Sequence, residues 1–155
     1  MRKCVSSGFR RTGAVLALLL AATRARSEER LVLPGVARAD GAAGSRFLST
    51  AWLQNPSDAT LTVELSLVSA SGPSGSLRLD LAPRETRRLD DPVGTLLAGG
   101  PGAGSLLARA AGPFLLRGVT ANVADPRGTY GLALSSPREA DALRPGETGV
   151  AAWLS

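Results

Sequence analysis

The chain has 155 residues with a net charge of +5, no histidine, and a single cysteine. That basic balance invites a nucleic-acid reading, but the excess is confined to residues 1–27, where Arg2, Lys3, Arg10, Arg11, Arg24 and Arg26 stand and no acidic residue does. Residues 28–155 keep 12 arginines against 13 carboxylates, a formal charge of −1, which removes the reason to expect a nucleic acid.

The N-terminal segment has the three-part layout of a secretory signal. A basic stretch from Met1 to Gly13 precedes the apolar run Ala14–Ala22, and small residues follow at Ala25 and Ser27. The run is far short of the roughly 20 residues a membrane-spanning helix needs. Arg10-Arg11 lacks the preceding Ser/Thr and following apolar residues of a twin-arginine signal. Cys4 lies before the apolar run, so it is not placed as a lipid-bearing cysteine. The expectation is a signal peptide over 1–27, and a mature domain over 28–155 that is secreted, extracellular or periplasmic, with no membrane span once the signal is removed.

The rest of the chain is punctuated by glycine and proline, which favours many short elements over a few long helices. Leu61, Val63, Leu65 and Leu67 alternate with Thr60, Thr62, Glu64 and Ser66. Leu77, Leu79 and Leu81 alternate with Arg78 and Asp80, and Tyr130, Leu132 and Leu134 with Thr129, Gly131 and Ala133. This period of two predicts half-buried antiparallel strands. Turn clusters separate them: Asn55-Pro56-Ser57-Asp58, Ser71–Gly75, Ala82-Pro83-Arg84-Glu85 and Asp125-Pro126-Arg127-Gly128. Strands are predicted over 31–37, 46–54, 60–69, 76–82, 85–90, 104–110, 114–124, 129–135 and 148–154. That number and spacing point to a β-sandwich.

One segment departs from the pattern. Asp91 is an N-cap residue, Pro92 suits the first helical position and Gly99 the exit, so a short helix is predicted between them. Gly99–Gly104 is predicted as a loop. Within 114–124, Phe114 and Leu116 fall out of phase with Val119, Ala121 and Val123. A β-bulge at Arg117-Gly118 would restore one apolar face. Trp52 lies in a predicted central strand and is assigned to the core.

The missing residue types narrow the chemistry. The only lysine and cysteine, Lys3 and Cys4, belong to the leader. Residues 28–155 therefore lack Ser-His and Cys-His nucleophile activation, Schiff-base lysines, disulfides and the nitrogen and sulfur ligands of zinc or copper. Asp80, Asp90 and Asp91 are the carboxylates to weigh for glycoside hydrolysis, and Asp90-Asp91 for calcium; they read better as solvated charges and, at Asp91, a helix cap. Arg84, Arg87 and Arg88 are balanced by Glu85, Asp90 and Asp91 and read as a solvated strand face. Gly100–Gly104 lacks the spacing and lysine of a phosphate-binding loop. No catalytic, cofactor-binding or metal residue is assigned.

Several stretches together resemble a family. Gly44–Thr50 followed by Leu53-Gln54-Asn55-Pro56, then Leu81–Thr86 leading to Leu89-Asp90-Asp91, then Gly128-Thr129-Tyr130-Gly131 and Leu143–Thr148, are similar to immunoglobulin-like modules of secreted bacterial proteins. The resemblance covers roughly 31–155 and implies an all-β, immunoglobulin-like antiparallel β-sandwich with one short helix. Its motifs are turn and core residues, so it implies a fold and a compartment and no reaction. Such modules often occur in tandem, which makes residues 148–154 an apolar strand that either completes the domain's own sheet or pairs with another chain. Val150, Ala152, Trp153 and Leu154 are its candidate partner contacts. The leading expectation is an exported, non-catalytic binding or structural module that takes a protein partner by edge-strand addition, without cofactor. The alternatives are a carboxylate-dependent hydrolase such as a glycosidase, and a truncated fragment of a tandem-module protein.

Overall fold

Residues 28–125, 129–143 and 146–147 are described by a computed structural model. The expected signal peptide over 1–27 and the predicted strand 148–154, with its candidate contacts Val150, Ala152, Trp153 and Leu154, lie outside the described residues. Among the described residues eight strands are formed: β1 (Glu29–Asp40), β2 (Arg46–Gln54), β3 (Leu61–Ser69), β4 (Gly72–Leu81), β5 (Thr86–Asp90), β6 (Gly102–Ala110), β7 (Leu115–Asn122) and β8 (Tyr130–Ser135). A short helix, α1 (Pro92–Leu96), separates β5 from β6. All strand pairings are antiparallel. The expected antiparallel β class with one short helix is thus what the chain adopts.

The strands follow the order β4-β3-β6-β1-β2-β7-β8, with β5 paired to β2. Two junctions explain how one sheet encloses a core. β1 pairs with β6 along most of its length but with β2 only through Arg38, Ala39 and Asp40. Its register shifts between Leu33 and Val36, across Pro34-Gly35, where Gly35 adopts a φ of 72°. That conformation is strained for other residues and natural for glycine. β2 in turn gives one edge to β1 at residues 46–48 and to β5 at residues 50–54. The path therefore divides into β4-β3-β6-β1 and β5-β2-β7-β8.

The alternation read from sequence decides which side chains are buried. Val63, Leu65 and Leu67 of β3, Leu106 and Ala108 of β6, Leu33 and Val36 of β1, and Ala51 and Leu53 of β2 are fully or almost fully withdrawn from solvent. Burying each leucine contributes about 1.5–3 kcal/mol. One polar chain crosses this interior: Ala37 N–H donates to Ser49 Oγ (2.7 Å), Ser49 to Thr120 Oγ1 (2.6 Å), and Thr120 to the Gly35 carbonyl (2.8 Å). It ties β1, β2 and β7 together without an unpaired polar atom.

The helix forms as its residues predict. Asp91 is the N-cap, its Oδ1 accepting from Gly94 N–H at 2.9 Å, and Pro92 sits at the start. Val93 and Leu96 turn into the core, and Ala98 and Gly99, both at positive φ, end the helix. The Arg38 guanidinium also pairs with Asp91. The loop after α1 is shorter than predicted, because β6 already begins at Gly102. Gly104 permits this: a Cβ there would stand 2.3 Å from the Val68 carbonyl oxygen, so only glycine lets the backbones come so close.

Two expectations are corrected. There is no bulge at Arg117-Gly118; β7 pairs without interruption with β2 from Leu115 to Asn122 and with β8 from Arg117 to Asn122. The inward positions are Leu116, Gly118 and Thr120, and the space left by Gly118 is filled by Leu33 from β1. Trp52 is not core. It is half-buried on the opposite face of β2 from Ala51 and Leu53.

Candidate functional site

The carboxylates weighed for catalysis do not converge. Asp80 Oδ1 accepts from the Thr62 hydroxyl at 2.6 Å, Asp90 pairs with Arg88 at 2.8 Å, and Asp91 is spent on α1 and Arg38. Glu64 is held below the ordinary glutamate range chiefly by its hydrogen bonds from Arg109. Glu85 is likewise lowered, first by the Ala82 amide and then by Arg87. A general acid needs the opposite shift. Among the described residues no group of three or more His, Cys, Asp or Glu comes together to hold a metal ion.

The arginine cluster divides among separate partners. Arg84 pairs with Asp58, Arg87 with Glu85, and Arg88 with Asp90, while the Arg88 guanidinium also lies 5.9 Å from the centre of the Trp52 ring. Trp52 stands in register with Arg88 on β5 and Arg117 on β7, so the outer face carries an Arg-Trp-Arg row. Beside it, an open groove of about 980 Å³ is lined by Leu115, Arg117, Ala133, Ser135 and Arg138. Its two acidic residues are Glu29 and Asp141, of which Glu29 pairs with Arg138 at 2.9 Å.

A different surface stands out at the β8 end. β4, β5 and β8 each have one strand neighbour among the described residues. β4 carries Pro73, Arg78 and Asp80 and a register shift opposite Ser66/Leu67. β5 is five residues long and contains Arg87, Arg88 and Asp90. These are devices that keep a free edge from pairing. β8, Tyr130-Gly131-Leu132-Ala133-Leu134-Ser135, has none of them: no charge, no proline and no bulge against β7.

The side chains of β8 are also unusually bare. Residues paired across an antiparallel ladder share a face, so Leu134, Leu132 and Tyr130 lie on the same side as Gly118, Thr120 and Asn122, the side that faces the core. Leu134 lies against β1, its Cδ2 3.7 Å from the Cβ position of Gly35. Beyond it, Leu132 is 69% exposed and Tyr130 59%. Phe47, beyond Asn122 in the row of Tyr130, is 37% exposed on the same face. The alternation at 129–135 predicted half-burial, which holds at Leu134 alone. The legible signal was the lack of charge on either face of this strand.

No protein-family model matches the chain, and no curated protein matches it. Among solved structures, the crystal structure of Thermotoga maritima 1070 superposes with a TM-score of 0.53, covering 68% of this chain and 91% of that one at 15% identity. At that identity the likeness concerns the fold alone. Among the described residues no helix is long and apolar enough to cross a membrane.

Proposed function

We infer that the chain is an exported, non-catalytic binding or structural module, an immunoglobulin-like β-sandwich behind a secretory signal, that takes a protein partner along an exposed sheet edge. The observation that carries this reading is β8: an uncharged, unprotected edge carrying exposed Leu132 and Tyr130, while the other two edges among the described residues are protected. The division into β4-β3-β6-β1 and β5-β2-β7-β8, with Leu33 of one group packed on Gly118 of the other, supports the sandwich. The order of basic, apolar and small residues in 1–27 supports export.

Two measurements test the reading. A reporter fused after Ser155 and active only outside the cytoplasm should become active, with the mature protein beginning near residue 28; a reporter retained inside would overturn the export reading. Amide exchange at low protein concentration should find one set of β8 amides open to solvent. A β8 protected to the same degree as β7 under those conditions would overturn the edge-binding reading. The hydrolase alternative would draw on Glu29 and Asp141, the acidic residues of the groove beside Trp52.

A further inference from the structure

We propose that the partner of the β8 edge is a second copy of this chain, β8 pairing with β8 antiparallel about a two-fold axis near Leu132. The proposal rests on the binding reading above and names its partner. Self-pairing of an edge demands that the strand be compatible with its own reverse. A two-fold at Leu132 places Leu132 against its counterpart and Tyr130 against Leu134 of the other copy, so every cross-strand pair is apolar or uncharged. The same operation on β5 would bring Arg87, Arg88 and Asp90 of two copies together, and on β4 it would meet Pro73 and the register shift. Among the described edges, β8 is the one that meets itself with no charged residue in any cross-strand pair.

The side chains add to the backbone pairing. Tyr130 and Leu132 are exposed on one face of the joined sheet, and two copies of this pair become adjacent across the axis, while Phe47 lies on the same face two strands in, beyond Asn122. A six-residue strand offers a short ladder and a small interface. The dimer is therefore concentration-dependent, and its dissociation is within reach of ordinary measurement.

Sedimentation velocity of the purified chain across a wide concentration range, with amide exchange at both ends of that range, tests the proposal. The expected result is a monomer–dimer equilibrium in which β8 amides gain protection as the dimer fills. Leu132→Lys, a change at an exposed position that the fold tolerates, should raise the dissociation constant at least about tenfold, while Ser76→Lys on the β4 edge should leave it unchanged. A second variant, Tyr130→Lys, should act like Leu132→Lys, so failure of either to fold does not remove the test. A monomer at all concentrations with open β8 amides would overturn the second copy as partner and leave the edge-binding reading standing. A monomer with β8 already protected would overturn both, with residues 148–154 of the same chain as the cover to test. A dimer indifferent to Leu132→Lys and Tyr130→Lys would place the interface elsewhere and overturn the proposal.

Discussion

Leu33 of β1 occupies the space that a side chain at Gly118 of β7 would need. A Cβ at 118 would stand 2.6 Å from Leu33 Cδ2 and 3.1 Å from the Thr50 carbonyl oxygen. Leu33 is fully buried and cannot swing into solvent. Removing a strand glycine gains about 0.5–1 kcal/mol of backbone entropy, but overpacking a closed core costs about 1–3 kcal/mol. Gly118→Ala should therefore lower stability by about 1–2 kcal/mol in urea denaturation. Leu33→Val in the same chain should cost less in the Gly118→Ala background than alone, because the two changes share one space. Additive costs would show that the two positions do not compete.

Asn55 is the buried polar residue on which a turn depends. Its Nδ2 donates to the carbonyls of Ala59 (2.8 Å), Ala82 (2.9 Å) and Leu81 (3.2 Å), and its Oδ1 accepts from Ser57 N–H (3.0 Å) and the Ser57 hydroxyl (2.7 Å). Asn55→Ala strands those carbonyls and should cost about 2–4 kcal/mol in urea denaturation. Asn55→Asp turns a donor into a carboxylate facing carbonyl oxygens, which raises that group's pKa in the folded state. The folded variant then keeps a proton that the unfolded chain releases, so its stability should rise as pH falls through the carboxylate range. A variant whose stability relative to the parent does not change with pH would refute this account of the site.

Elements whose signals lie within one short stretch were legible in the sequence, and those set by a distant strand were not. Val63, Leu65 and Leu67 announced β3 because both their spacing and their burial are local properties of a strand. Asp91-Pro92 announced α1 for the same reason: cap, first turn and exit lie within one short stretch. The phase of β7 was not local. Leu116, Gly118 and Thr120 do not look like an inward face until Leu33 fills the glycine and Ser49 and Gly35 satisfy the threonine. Trp52 failed in the same way, since hydrophobicity marks a residue as buried without saying which face of β2 it occupies. The free edge at β8 was half legible: its missing charges were visible, whereas its lack of a neighbour is a matter of strand order.

Trp52 should behave as a surface platform. Its ring is half-buried and lies beneath Arg88. Full burial would make Trp52→Ala cost about 3–5 kcal/mol. The observed position predicts about 1–2 kcal/mol, of which an exposed cation–π contact supplies about 0.5–1. Arg88→Ala should recover only that smaller part, and the double variant should fall short of the sum of the two. A loss for Trp52→Ala in the range of a core tryptophan would contradict its placement on the outer face.

Glu85 links a turn to pH. Its Oε2 accepts from the Ala82 amide at 2.6 Å and its Oε1 from Arg87 Nε at 2.8 Å, while Glu85 N–H donates back to the Ala82 carbonyl at 3.2 Å. The Ala82 amide, and Arg87 after it, hold the carboxyl below the ordinary glutamate range. A depressed folded-state pKa means that the interaction is fully present above the unfolded value and is lost as pH falls through the folded one. In an NMR titration, the Ala82 amide shift should therefore move with a midpoint below the ordinary glutamate value, together with the Glu85 carboxyl. Glu85→Gln, which keeps an acceptor oxygen but not the charge, should remove that acid step while leaving the amide near its parent position. An Ala82 amide that titrates at or above the ordinary glutamate value would show that the carboxylate does not hold this turn.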